Sequence, residues 1–309
     1  MFRKHVRFSL CVPPPPVIDS AASLSRPQGI VMQQRTLLGL NPIGFHKLAY
    51  AEWRGDSDSV PVICAHGLTR NGRDFDRLAE ALQPQRTVFC PDIAGRGQSD
   101  WLPNGALYGY PQYLADINAL IARTGATQVD WVGTSMGGLI GMLLAALPQS
   151  PIRRLVINDI GPFITLAALQ RIGFYVGATP GFDSVEEVET HMRKIYAPFG
   201  QLSDADWRHL AAHGTRTLAN GQLALNYDPA IAQSFATMTQ DADFWPYYDN
   251  ITCPTLALRG ALSDLLSAEV AEAMTQRGPR AQLITFPDTG HAPALMAPDQ
   301  IAAVREFLT

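Results

Sequence analysis

The sequence predicts an α/β domain built on a mainly parallel, doubly wound sheet, with a helical segment inserted into it. Three observations carry that expectation. From residue 34 onward, short and nearly continuous apolar runs alternate with helical stretches, the pattern of strands buried on both faces and joined by crossover helices. One run, residues 129–132, passes straight into Gly133-Thr134-Ser135-Met136-Gly137-Gly138 and then into the apolar helical run 139–146. The interval between Asp159 and Cys253 shows helix-like stretches and no convincing strand, and about ninety residues are too many for a loop in a compact domain.

In chain order, residues 48–53 alternate and read as an early strand beside the Asn41-Pro42-Ile43-Gly44 turn. Residues 60–65, 86–90, 129–132, 154–158, 255–258 and 282–286 are the short apolar runs expected of the buried strands. Helices are expected at 74–82, 110–124, 139–146, 269–277 and 300–308, and right-handed crossovers would place them on both faces of the sheet. Inside the interruption, helices are expected at 163–172, 185–197, 204–213, 229–237 and 243–248. The domain division that follows is a core of residues 33–160 and 250–309, with a helical cap at 161–249 lying over the strand ends that carry Ser135. Residues 1–32 combine basic residues (Arg3, Lys4, Arg7) with the run Pro13 to Pro16. Their apolar stretch, 8–12, is too short for a secretory core, so a flexible extension is expected.

Composition narrows the class. A chain of 309 residues with 47% hydrophobic and 17% charged residues is long enough and apolar enough to bury a large core. A net charge of −4 gives no reason to expect nucleic acid or an anionic membrane as a partner, and no apolar run reaches the length of a membrane span. Cys11, Cys64, Cys90 and Cys253 are scattered without metal-like spacing. Free, reduced thiols and a cytoplasmic location are the expectation.

Gly-x-Ser-x-Gly at a strand-to-helix turn presents a serine hydroxyl outside the sheet, with the helix N-terminus behind it. A serine is a weak nucleophile until a base takes its proton, and the base needs an acceptor that holds its tautomer. The candidate base is His291 in Asp288-Thr289-Gly290-His291-Ala292-Pro293, just after the last strand. His191, His209 and His213 fall on helical stretches of the insertion and read as surface or packing residues. The preferred orienting acid is Asp264, in the loop after the penultimate strand. Asp159, one strand earlier, is the rival. Two backbone donors are expected for the oxyanion: the N–H of Met136 and, from the Cys64-Ala65-His66-Gly67-Leu68-Thr69 loop, that of Leu68. His66 itself reads as structural. The turn Pro91 to Asp100 lacks the features of a phosphate loop. Its Asp92, Arg96, Ser99 and Asp100 are expected to lock it through hydrogen bonds and a salt bridge.

With those residues in place, the chain resembles the α/β-hydrolase superfamily from about residue 33 to its end. The resemblance rests on His66-Gly67, Asp92-x-x-Gly95-x-Gly97-x-Ser99, Gly133-Thr134-Ser135-Met136-Gly137-Gly138 and Gly290-His291, in the family's order, with Arg259-Gly260 and Ser263-Asp264 similar to its acid loop. It implies an eight-stranded, mainly parallel sheet with a helical cap inserted after the sixth strand. It also implies a Ser135–His291–Asp264 triad, an oxyanion hole from Leu68 and Met136, and neither cofactor nor metal. A serine at this turn, where dehalogenases and epoxide hydrolases carry aspartate, favours esterase, lactonase and carbon–carbon hydrolase relatives.

The function expected is hydrolysis of a small to medium carboxylic ester through an acyl-enzyme. Phe163, Ile164, Leu166, Phe174, Tyr175, Val176 and Trp245 give the insertion an apolar character suited to an uncharged acyl group. Two alternatives stay open. Carbon–carbon hydrolysis of a ring-fission product would use Arg171, Arg193 or Lys194 to hold a carboxylate. A slow-turnover ligand receptor would keep the triad. Oligomeric state is not legible.

Overall fold

A computed structural model describes residues 32–309 apart from positions 57, 179 and 237. The expected extension over residues 1–32 thus lies outside the described residues, as does Cys11, except for Met32, which opens the first strand.

An eight-stranded sheet organises the chain. Strands β1 (Met32–Asn41) and β2 (Gly44–Trp53) form a hairpin, paired from Met32 opposite Trp53 to Asn41 opposite Gly44. Then come β3 (Val62–Ala65), α1 (Asp76–Leu82), β4 (Val88–Pro91), α2 (Tyr110–Thr124), β5 (Val129–Thr134), α3 (Met136–Ala145) and β6 (Ile152–Asn158). The chain leaves the sheet after β6 and passes through β7 (Phe163–Ile164), α4 (Leu166–Val176), α5 (Val185–Ile195), α6 (Asp204–His213), β8 (Thr215–Thr217), β9 (Leu223–Leu225), α7 (Gln233–Ala236), β10 (Ala242–Asp243) and α8 (Trp245–Tyr248). It returns as β11 (Thr255–Gly260), α9 (Ala268–Gln276), β12 (Gln282–Phe286) and α10 (Pro298–Leu308). Across the sheet the order is β1-β2-β4-β3-β5-β6-β11-β12. The pairs from β4 to β12 are parallel, while β2 is antiparallel to both its neighbours.

The central strands are wholly or almost wholly buried because helices cover both faces. Strand alternation divides the core. Val62, Cys64, Val132, Val156 and Leu258 face α1 and α10, whereas Ile63, Trp131, Leu155 and Ile157 face α2 and α3. Leu169, Val188, Met192 and Trp207 of the insertion join the second group. Every residue of α3 is buried, as befits a helix hydrophobic all round. Asp130 is a charge deep in β5, and Arg153 meets it at 2.7 and 2.9 Å with Arg86 as a further partner. A buried carboxylate persists only with such pairing.

Two expectations need correction. β1 opens with the polar residues Gln33 to Thr36 and was not anticipated as a strand; it is one edge of the sheet, with Leu38 and Leu40 exposed. The interval after β6 does contain strands, in the two-stranded ribbons β7–β10 and β8–β9. Helix caps explain the placement of the insertion's helices. Thr165 and Ser184 accept from the first turns of α4 and α5, and Ser203 forms a reciprocal capping box with Asp206 at α6. Cys64, Cys90 and Cys253 are free thiols.

Candidate active site

Ser135 stands between β5 and α3 with φ 52° and ψ −114°, a conformation that costs a non-glycine residue of order 1–3 kcal/mol. The glycines around it make the turn feasible. A Cβ on Gly133 would overlap the Gly137 carbonyl, and one on Gly137 would overlap the Ala65 carbonyl of β3. The Trp131 indole N–H donates to the Gly137 carbonyl at 3.0 Å, and the Ser135 N–H donates to Asn158 at 2.9 Å. Sheet and helix therefore hold the strained residue from both sides.

The His291 Nε2 lies 3.0 Å from the Ser135 Oγ, and its Nδ1 lies 2.8 Å from Oδ2 of Asp159. A carboxylate facing Nδ1 keeps the proton there and leaves Nε2 free to accept from the serine hydroxyl. The Asn158 side-chain amide ties the two arms together, donating to the Thr134 Oγ1 at 2.9 Å and to the Pro293 carbonyl at 2.8 Å.

The acid at His291 is therefore Asp159, not Asp264 as the sequence favoured. Asp159 closes β6 with φ 54° and is fully buried. Its Oδ1 accepts from the Gly260 N–H at 2.7 Å, and its Oδ2 accepts from the Ser263 hydroxyl at 2.6 Å as well as from His291. The loop after β11 thus turns its donors inward toward Asp159. Asp264, the next residue, points the other way; its side chain is 61% exposed and pairs with Arg171 of α4 at 2.9 Å. The sequence reading placed Gly260 and Ser263 in an acid loop around Asp264, not as donors to Asp159. The available signal was the polar pair Asn158-Asp159 closing a buried apolar strand.

Leu68 and Met136 line the same cavity as Ser135. The Met136 amide belongs to the first turn of α3, where N–H groups lack helical partners. A Cβ on Gly67 would lie 3.7 Å from the Ser135 Cβ, so the Leu68 loop runs directly against the serine. His66 anchors that loop: its Nε2 accepts from the Ile93 N–H at 2.9 Å and its Nδ1 donates to the Gly67 carbonyl at 2.7 Å. Burial lowers its pKa to about 3, so it stays neutral.

Arg96 is a residue whose placement sequence reasoning only half anticipated. It is fully buried, and among the described residues it has no carboxylate partner, contrary to the expected salt bridge. Its Nε donates to the Leu68 carbonyl at 2.8 Å, its Nη1 to Ala94 and the Tyr113 hydroxyl, and its Nη2 lies 3.5 Å from the Met136 Sδ. The rings of Tyr108 and Tyr113 flank it at 5.7 and 5.1 Å. The turn is locked instead by Asp92, which accepts from the Gly72 and Gln98 N–H groups, and by Ser99, which bridges Asp92 and Ala49. Asp100 accepts from the Lys47 N–H and makes the turn's salt bridge with the Lys47 ammonium at 3.6 Å. Burial raises Asp92 to about 6.

The cavity measures about 500 Å³, within the roughly 300–1,000 Å³ of small-molecule sites. Apolar groups dominate its wall, including Leu139, Ile160, Leu169 and Met296. Of the apolar insertion residues singled out in the sequence, Ile164 and Tyr175 line it, whereas Phe174 is 91% exposed. Of the three candidate cations, Arg171 lines it, while Arg193 pairs with Glu189 and Asp204.

Asp76, His209 and His213 bring three ligand-type atoms within 4.8 Å of one another. Arg73 already occupies that cluster. It donates to Asp76 at 2.5 Å, approaches the His213 Nδ1 at 3.4 Å and accepts through its carbonyl from His209. A guanidinium there fills the role of a cation and joins α6 to the core. Among the described residues, no helix is long and apolar enough to cross a membrane.

Strand order, elbow and histidine loop together define an α/β hydrolase. The family model described as "alpha/beta hydrolase fold" matches residues 60–298, and the chain belongs to that family. It is 44% identical over 282 residues, 87% of this chain and 95% of the other, to a 3-hydroxybutyrate-oligomer hydrolase of Cupriavidus necator. An α/β hydrolase from Novosphingobium aromaticivorans superposes with a TM-score of 0.81 at 36% identity, covering 90% of this chain and 98% of that one. E-2-(acetamidomethylene)succinate hydrolase shares the fold, with a TM-score of 0.76 at 23% identity over 89% and 99% of the two chains.

Proposed function

We propose that this protein is a serine ester hydrolase that cleaves short oligomers of 3-hydroxybutyrate, or of a closely similar hydroxy acid, through an acyl-enzyme. The observation that carries the proposal is the hydrogen-bonded chain Ser135–His291–Asp159 opening on an apolar cavity. The similarity to the Cupriavidus enzyme supports the choice of substrate.

In this mechanism the Ser135 Oγ attacks the ester carbonyl while the His291 Nε2 takes its proton. Asp159 stabilises the imidazolium through Nδ1. The Leu68 and Met136 N–H groups hold the oxyanion. Collapse of the tetrahedral species expels the alkoxide of the leaving hydroxy acid, which takes its proton from His291. Water, deprotonated by the same imidazole, then attacks the acyl carbonyl. A second collapse frees the acid and restores Ser135. Residues 161–249 act as the cap that shapes the acyl site and excludes bulk water.

Wild-type protein should release monomer from the 3-hydroxybutyrate trimer and be labelled once by a fluorophosphonate at Ser135. Ser135→Ala should lose both. Labelling that persists in the variant would refute the assignment of the nucleophile.

A further inference from the structure

An oligoester with a free acid end is an anion, and the cavity wall offers few cations to receive it. Arg70 is committed: its Nε and Nη2 hold the Asp74 carboxylate at 2.8 and 2.7 Å, and its guanidinium lies 4.9 Å from the Tyr196 ring centre. His66 is neutral and internally bonded. His291 serves Ser135. His191 packs against Phe182, and burial together with Lys194 lowers its pKa.

Arg171 differs from all of these. Its side chain is half exposed, and its Nη2 lies 2.9 Å from Oδ2 of Asp264. Both residues line the cavity, one from α4 and the other from the loop after β11. A guanidinium presents a planar fork of donors suited to a carboxylate, and about half of this side chain is open to solvent. Ion pairs this exposed contribute only about 0–1 kcal/mol, and Asp264 can re-enter water at little cost.

We propose that Arg171 docks the free carboxylate of the oligoester substrate and that Asp264 is its resident counter-ion, displaced as the substrate enters. The proposal rests on the ester-hydrolase reading of Ser135. It assigns to Asp264 control over which acids are accepted, in place of the proton-holding role that belongs to Asp159. Removing Arg171 leaves Asp264 to repel an anion. Removing the charge of Asp264 leaves Arg171 unopposed.

The test compares kcat/KM for the 3-hydroxybutyrate trimer as free acid with that for its methyl ester, in wild type, Arg171→Gln, Arg171→Lys and Asp264→Asn. The acid-to-ester ratio should fall roughly tenfold in Arg171→Gln, recover in part in Arg171→Lys, and rise severalfold in Asp264→Asn. High salt should shrink these differences. Opposite signs in the two neutralising variants cannot come from a shared folding defect, and if Arg171→Gln fails to fold the Asp264→Asn ratio decides alone. An unchanged ratio in both, or collapse of both substrates together in Asp264→Asn, would overturn the proposal. The hydrolase reading is judged separately, on methyl-ester turnover by wild type and its loss in Ser135→Ala.

Discussion

Asp159 illustrates how completely one side chain can be specified by its neighbours: a buried carboxylate that receives a backbone N–H, a hydroxyl and an imidazole N–H has no freedom to reorient. Asp159→Asn keeps the shape but turns one acceptor oxygen into an NH2 donor, so Nδ1 loses its reason to carry the proton. Steady-state assays on p-nitrophenyl butyrate should show kcat reduced on the order of 10³–10⁴-fold with KM little changed; a reduction under tenfold would contradict the assigned role. Arg96→Met should act differently, because Arg96 touches Leu68 and Met136, the residues proposed to bear the oxyanion donors, rather than the reacting atoms. There kcat should drop about 10–100-fold, and methylguanidine should restore part of it. The meeting of Ser135 and His291 was legible in the sequence because each sits in a short motif tied to a strand end. The acid was not, because Asp159 and Asp264 both follow strands. What separates them is the inward turn of Ser263, a tertiary contact with no local signature.

The elements differ in how plainly they announce themselves. Buried strands such as β3, β5 and β6 are legible as apolar runs because both faces meet helices. β1 sets four consecutive polar residues, Gln33 to Thr36, before its leucines along an edge, and β7 to β10 span two or three residues each, too few for any period to register. The turn from β5 to α3 was legible for the opposite reason, since close backbone contact permits only glycine at two of its positions. Gly137→Ala sets a Cβ against the Ala65 carbonyl, backbone against which no side chain can yield. Urea unfolding should show a loss of about 3 kcal/mol, together with reduced kcat.

For the molecule as a whole, buried titratable groups set the response to acid. His66 has its pKa lowered to about 3 from an ordinary 6.5. Between those values the unfolded chain binds a proton that the folded chain refuses, so stability rises with pH by about 1.4 kcal/mol per unit from this group and is flat above 6.5. His213, lowered to about 4 by burial and Arg73, acts in the same sense. Asp92, raised to about 6, works against them between its ordinary 3.8 and 6 because the folded chain is then the better proton binder. The net expectation is a melting temperature that climbs from pH 4.5 to 6.5. Calorimetry on His66→Gln should show a shallower climb; an unaltered slope would mean that His66 is not the group responsible.

The neighbouring parallel strands β5 and β6 are followed directly by Ser135 and Asp159, and the Ser135 amide is bonded to the carbonyl just before Asp159. Both partners of the imidazole thus ride on adjacent, hydrogen-bonded strand ends of the sheet. In the turn at 261–266 the Ser263 hydroxyl serves Asp159 and Leu266 is buried core, whereas the side chains of Leu262 and Asp264 are exposed and available to an engineer for rebuilding. Such surgery can retune molecular taste while leaving the cutting edge intact.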